Sequence, residues 1–248
     1  MLYDVLHSPG TADDVRALVR VSERFDLKPK GPWLEPACGS GRYVRAAVAR
    51  GIRIAGFDAS SSMVSYARDR MNGINNSMYA LRTMRMESFD ANDLAPTWTF
   101  ELAFNLINTI RHVESDADVL EHLDRVHTAL HPGGLYAIGL SLSMYGAEQP
   151  SEDTWQATRG SLSVSQIVQY TPAPGVRDRG EQVHSVLHVT RPTGSQTIPS
   201  SYILRSNAAR QWQEILDRSA FRLVGCVDET GRDIESPTLG YAIWLLQR

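Results

Sequence analysis

The residues best placed to do chemistry lie between Trp33 and Tyr43, in the order Trp-Leu-Glu-Pro-Ala-Cys-Gly-Ser-Gly-Arg-Tyr. An apolar stretch ends in the acid Glu35, passes through a small-residue loop and opens a helix. Gly39 and Gly41 let the backbone turn with no Cβ in the way, so the amides at the helix start can face a ligand bearing a carboxylate or phosphate. A second acid, Asp58, closes the next apolar run 17 positions beyond Gly41 (58 minus 41). There it is placed to accept hydrogen bonds from both hydroxyls of a ribose. The pattern therefore reads as a nucleotide-cofactor loop. A dinucleotide fingerprint would need a third glycine where Val44 stands, and Glu35 would confront a pyrophosphate, which weakens a nicotinamide oxidoreductase reading. After a fourth apolar run, His112 is the first candidate for a base, because imidazole titrates near neutral pH. Its alternative role is to anchor a loop.

The elements that must position these groups follow from periodicity. Thr11 with Asp14 predicts a helix start with Val15, Leu18, Val19 and Phe25 near one face. Tyr3, Asp4 and His7 precede it in a segment read as polar and mobile. Strands are predicted near Trp33, over Ile52–Phe57, within 78–89, and over Phe100–Leu106 and Leu135–Leu142. Helices are predicted over Arg42–Arg50, after Ser60, and after Ser115, the last ended by Pro132-Gly133-Gly134. In that pattern Ser60 is a helix cap and Met63 lies on the core face. From 161 to 205 the period changes to two: Val164, Gln166, Val168 and Tyr170 share one parity, as do Val183, Ser185, Leu187 and Val189. Ser206 is predicted to cap a further helix, and Phe221–Val227 and Tyr241–Leu246 supply the last strands. The expected architecture is a doubly wound α/β sheet with a small antiparallel sheet inserted after the fifth strand.

Composition sets the outer limits. With 248 residues and 42% hydrophobic content, the chain can bury one large core plus a lid. A formal charge of -3 offers no general attraction for nucleic acid. Two cysteines, Cys38 and Cys226, make neither a disulfide framework nor a metal pair. No apolar run reaches the ~18 residues a membrane span needs, and the start Met1-Leu2-Tyr3-Asp4 has no export-signal pattern. The expected location is cytoplasmic, with no membrane partner; oligomeric state is not readable.

The acid followed by small-x-Gly-x-Gly resembles the first motif of class I S-adenosylmethionine-dependent methyltransferases. Asp58-Ala59-Ser60-Ser61-Ser62-Met63 is similar to the family's Asp-x-Ser-x-x-Met. Asn108, Arg111 and His112 match the Asn-Ser-x-Arg-His segment of its small-molecule members, and His131-Pro-Gly-Gly before an apolar strand is frequent there. The resemblance implies a Rossmann-like, seven-stranded, mostly parallel sheet with an antiparallel last strand. Residues 1–150 and 206–248 would be the core and 151–205 an inserted lid. It places the methionine end of the cofactor on Glu35, Ala37, Cys38, Gly39 and Gly41, ribose on Asp58, adenine between Ala59, Met63 and Met86, and the sulfonium near Asn105. Two departures are visible. Ala37 stands for the usual first glycine, costing little if its φ is negative, and Arg85 stands where an acid contacts the adenine amine. Tyr3, Asn108, Arg111, His112, Trp155, Arg159 and His184 would border a small-molecule acceptor methylated on N or O by direct displacement. No metal is expected, because Asn105 stands where hard oxygen ligands would gather. The alternative is an inactive cofactor-binding or interaction protein of the same fold.

Overall fold

A computed structural model describes residues 2–248. Five strands run parallel: β1 Trp33–Pro36, β2 Ile54–Asp58, β3 Tyr79–Thr83, β4 Phe100–Asn105 and β5 Leu130–Leu142. Four antiparallel strands then form a separate sheet: β6 Ser151–Arg159, β7 Leu162–Thr171, β8 Gly180–Arg191 and β9 Gly194–Arg205. The chain returns through β10 Arg222–Val227, β11 Asp233–Ile234 and β12 Gly240–Gln247, with β12 antiparallel to both β5 and β10. The large sheet has the order β11-β10-β12-β5-β4-β1-β2-β3. Seven strands match the expectation; the eighth, β11, is a two-residue edge strand in a hairpin tip that reads only as polar.

The helices are α1 Leu2–His7, α2 Thr11–Arg24, α3 Arg42–Ala49, α4 Ser61–Arg70, α5 Ala91–Leu94, α6 Asp116–Ala129 and α7 Ala209–Arg218. They cover both faces of the large sheet, and the alternation of side chains along each strand feeds two cores. Along β12, Ala242, Trp244 and Leu246 join α6 and α7, whereas Ile243 and Leu245 join α2, α3 and α4. From β1 the chain steps outward to β2 and β3, then returns to β4 and β5 on the other side. This reversal opens a crevice beyond the carboxyl ends of β1 and β4, the place where open α/β sheets bind ligands.

Several local expectations give way to tertiary partners. The segment read as mobile is helix α1: Leu2, Val5 and Leu6 pack against Val164, Ala157, Leu162 and Leu187 of the small sheet, and Asp4 is fully buried. Six residues are too few to show a helical period, and their partners lie about 150 positions away in the chain. Gly10, not Thr11, caps α2; the Thr11 hydroxyl instead accepts from Arg42 Nη1 at 2.7 Å. Ala208, not Ser206, precedes α7, because the Ser206 hydroxyl accepts from Arg111 at 3.0 Å. His131-Pro-Gly-Gly does not follow the helix as a turn but lies inside β5, where the C-terminal Arg248 amide donates to the Gly134 carbonyl at 3.0 Å. The small sheet begins at Ser151, ten residues before the visible alternation, because nearly all of β6 is exposed and shows no two-residue polarity.

Burial of Leu6 predicts that Leu6→Ala will cost about 2 kcal/mol or more of stability. Denaturant unfolding checks this; a loss within about 0.5 kcal/mol, the range for surface substitutions, would mean that α1 is not part of the core.

Candidate active site

Three cavities meet in the crevice. A recess of about 70 Å³ lies beside Glu35, Gly39, Arg42 and Asn105. A cavity of about 700 Å³ runs along Asp58, Ala59, Met63 and Met86. A chamber of about 690 Å³ lies under the inner face of the small sheet, with Trp155, Gln166, Tyr170 and Tyr202 in its wall. Tyr3 and Thr109 border all three.

The loop after β1 builds the recess. Asp58 holds it from the side: Oδ2 accepts from the Gly39 amide and Oδ1 from the Ser60 amide, each at 2.8 Å. Gly39 has φ 52 and lines the recess. Gly41 lines none of the three cavities. It has φ 68, and a Cβ there would fall 2.9 Å from Ala67 Cβ, so its smallness serves the close approach of α3 and α4. Cys38 likewise packs its side chain on Gly56, where burial pushes the thiol pKa well up. Ala37 does not meet the condition under which replacing the glycine would cost little. It sits at φ 55, a left-handed conformation that costs a residue with a Cβ about 1 kcal/mol.

Two buried acceptors in the recess lack partners. Glu35 Oε2 and Asn105 Oδ1 receive no hydrogen bond, although Asn105 Nδ2 donates to the Pro36 carbonyl at 2.9 Å and so ties β4 to β1. Burial, with Asp58 nearby and only partly offset by Arg42, raises the Glu35 pKa to about 8. A cationic N–H donor would satisfy both oxygens. The buried Arg42 guanidinium, held by Thr11 and by the Tyr43 hydroxyl at 2.7 Å and lying 3.6 Å from Asp14 Oδ2, lines the recess with a charge complementary to a carboxylate. Together these groups suit the two charged ends of an amino acid.

On the opposite side, Ser60 caps α4, accepting from the Met63 amide at 3.3 Å, and Met63 faces the cavity. A 3₁₀ turn over Met86–Ser88 supplies the far wall. His122 is fully buried behind it; with Nδ1 donating to the Met86 carbonyl at 3.0 Å, Nε2 accepts from the Tyr136 hydroxyl at 2.7 Å. The Met86 carbonyl is therefore already engaged. Burial lowers the His122 pKa to about 4, which keeps this tautomer neutral. Arg85 points to solvent at the rim and pairs with Glu87.

The segment after β4 is strained. Ile107 has φ 57 and Asn108 φ 60, the former unusual for a β-branched residue. Asn108 is held by Ser141, whose amide donates to Oδ1 at 2.6 Å and whose hydroxyl accepts from Nδ2 at 3.0 Å. Arg111 lies in the chamber wall with its donors engaged by the protein: it donates to Glu181, Ser206 and the Arg205 carbonyl at 2.8–3.0 Å. His112 stays at the boundary of chamber and cofactor-side cavity, its ring 5.6 Å from that of Tyr202. Burial and Arg111 lower its pKa.

Two further expectations are corrected by strand parity and pairing. His184 lies on the outer face of β8, bonded to Ser201 at 2.9 Å and facing a separate groove. Arg159 does not line the chamber but donates to Asp4. Trp155 does line it, 6.2 Å from the His7 ring, which lies 4.3 Å from Tyr3. Sequence reading missed Arg42, His7, Gln166, Tyr170 and Tyr202 as lining residues, and Asp4 as the partner of Arg159. For Arg42 a signal existed, a cation directly after the glycine loop; for Asp4 the signal was its place in an N-terminal segment that often folds over the cofactor in the methyltransferases the chain resembles, with nothing to point to Arg159.

Such a sheet and crevice define a doubly wound α/β fold with a ligand crevice at its switch point. A family model described as a methyltransferase domain matches residues 34–134. YqeM of Bacillus subtilis, a protein named as a methyltransferase, is 24% identical over 178 residues, 67% of this chain and 68% of its own length. An S-adenosylmethionine-dependent methyltransferase from Clostridium acetobutylicum superposes with a TM-score of 0.75 at 13% identity, covering 99% of this chain and 95% of that one. The cofactor-bound amino pentose methyltransferase of Micromonospora echinaspora gives 0.67 at 16% identity, covering 96% and 89%. These two are likenesses of fold. Residues 34–134 thus match a methyltransferase domain, and the fold of the whole chain is that of S-adenosylmethionine-dependent methyltransferases.

Two predictions follow from the recess. Ala37→Gly should relieve about 1 kcal/mol of left-handed strain, which offsets the roughly 0.4 to 1 kcal/mol that glycine's added unfolded-state entropy costs, so the thermal midpoint should hold or rise; a midpoint lowered as for an ordinary Ala→Gly change contradicts the strain. Glu35 ionises near 4.5 when unfolded and near 8 when folded, so the unfolded state loses its proton first. Stability should therefore fall as pH rises from about 4.5 to about 8, by on the order of 1 kcal/mol per unit from this group, and level off above. In Glu35→Gln this slope should vanish from pH-dependent denaturation curves; an identical slope would assign it elsewhere.

Proposed function

We propose that the protein transfers a methyl group to a nitrogen or oxygen of a small molecule by direct displacement, without a metal. The observation that carries this reading is the convergence of recess, cofactor-side cavity and chamber on Tyr3 and Thr109. The cofactor supplies an activated methyl group on a sulfonium when bound. In this reading Glu35 and Asn105 receive its amino group, Arg42 its carboxylate, Asp58 the ribose, and Ala59, Met63 and Met86 the adenine. The small sheet over residues 151–205 is the lid of the acceptor chamber.

The chamber favours an amine acceptor. Glu148 and Asp153 line it without an ion pair among the described residues, and the Gln166 amide lies in its wall. A cationic, donor-bearing acceptor matches these groups, and a neighbour in fold is named as an amino pentose methyltransferase. Such an acceptor must shed a proton before its lone pair can react. His112, at the boundary of chamber and cofactor-side cavity, is neutral and is the candidate to take it, although burial and Arg111 weaken it as a base; His7, lowered to about 4 by burial and Arg42, is too weak a base for this step. Once the groups are aligned, the rate gain from proximity can reach ~7 to 11 kcal/mol. Metal independence is supported by the amide of Asn105 at the end of β4, a poor site for a hard cation compared with a carboxylate.

Calorimetric titration with S-adenosylhomocysteine tests the cofactor side. Asp58→Ala should bind more weakly, each hydrogen bond to a charged acceptor being worth ~1.5 to 3 kcal/mol; equal affinity would refute the ribose assignment. Screening amines and alcohols with labelled S-adenosylmethionine tests the acceptor side. With an acceptor in hand, His112→Ala should lower turnover while sparing cofactor affinity and thermal stability. Retained activity would reject the base role, and loss on chelation with recovery on adding magnesium would reject the metal-free mechanism.

A further inference from the structure

Asp4 stands outside every role assigned above, yet it is the most heavily bonded carboxylate in the chamber's surroundings. It has no exposed surface. Oδ1 accepts from the Ser40 hydroxyl at 3.0 Å, from Ser8 at 3.2 Å and from Arg45. Oδ2 accepts from the Tyr66 hydroxyl at 3.0 Å and from Arg159 Nη1 at 2.9 Å, while Arg159 Nη2 donates to the Asp4 carbonyl at 3.1 Å. Ser40 belongs to the cofactor loop, Arg45 to α3, Tyr66 to α4 and Arg159 to β6 of the small sheet. One carboxylate thus joins the cofactor loop, two helices of the core and the sheet that roofs the chamber.

We propose that Asp4 is a positioning residue for methyl transfer: it latches strand β6 to the cofactor loop and thereby holds the adjacent Tyr3 at the junction of the three cavities. Anchoring α1 would not require a charge, since Val5 and Leu6 already pack it against Val164. Well-packed apolar groups commonly serve stability as well as a buried ion pair does. The charge instead fixes which groups meet. Burial by itself would raise the Asp4 pKa, but hydrogen bonds from Arg159, Arg45 and Tyr66 outweigh it and hold the carboxyl well below the usual range. The latch is accordingly closed at every physiological pH.

The inference rests on placing the cofactor at Gly39 and Asp58, so the test has one arm that needs no ligand. Hydrogen exchange is compared in ligand-free wild type, Arg159→Gln and Asp4→Asn. Arg159 is partly exposed, so its variant should fold even where Asp4→Asn does not. Faster exchange over residues 2–7 as well as 151–159 in Arg159→Gln is expected; a change confined to 151–159 overturns the latch. In the second arm, Arg159→Gln should bind S-adenosylhomocysteine about tenfold more weakly with a nearly unchanged thermal midpoint, and Arg159→Lys should recover part of the loss. The double variant Asp4→Asn/Arg159→Gln should be no worse than Asp4→Asn alone, as for groups acting as one unit. Unchanged product affinity and turnover in Arg159→Gln, or additive losses in the double variant, would overturn the positioning role. If Asp58→Ala also binds the product as wild type does, it is the cofactor placement that fails.

Discussion

A carboxylate removed from water has to be compensated by its surroundings, and in this chain that requirement falls on Asp4. Taking such a charge into the interior costs several kcal/mol unless donors replace the lost water. The donors come from elements at positions 8, 40, 45, 66 and 159, which are drawn to one point. The N-terminal helix, the glycine loop and the roof sheet are fixed relative to one another as a result. The apolar packing of Leu2, Val5 and Leu6 supplies area but little direction. Directionality comes from the charged hydrogen bonds.

The crevice itself holds its groups in states that are unfavourable without a ligand. Ala37, Ile107 and Asn108 are left-handed, and Glu35 and Asn105 each keep a buried oxygen without a donor. Strain and unmet hydrogen bonding of this sort cluster where a ligand completes the structure. The rest of the sheet supplies the stability that tolerates them: Leu34, Ile54, Phe57, Phe104 and Ile138 are fully buried around the strands whose ends carry the site. Rigid strands end where polar loops begin, so the groups that face a cofactor stand on a firm base while the loops remain free to vary.

The small sheet divides its chemistry by parity. Inward positions carry Trp155, Gln166, Val168 and Tyr202, whereas His184 and His188 point outward to Ser201 and Thr197. Pairing register makes this division strict, since a one-residue slip would exchange the two sets. Beneath the sheet, Arg111 is committed to Glu181 on β8 and Ser206 just beyond β9, which fastens the roof to the loop that follows β4.

The sequence by itself determined the glycine-loop side of the crevice. Glu35, Gly39, Asp58, Ser60 and Met63 lie within 29 residues of one another (63 minus 35, plus one), and their roles depend on turns and caps set by near neighbours. Periodicity also marked most strands and the inner parity of β7 and β8. What only the tertiary structure decided are the groups whose partners are remote. Asp4 looked like a surface acid until Arg159, 155 positions away, was brought to it. Arg111 looked like a ligand contact until Glu181 claimed it, and Ser206 looked like a cap until Arg111 did. The left-handed φ of Ala37 is imposed by the loop between β1 and α3, against the residue's own preference. Local chemistry is written in adjacent residues, whereas a buried charge takes its meaning from whichever distant donors the fold places around it.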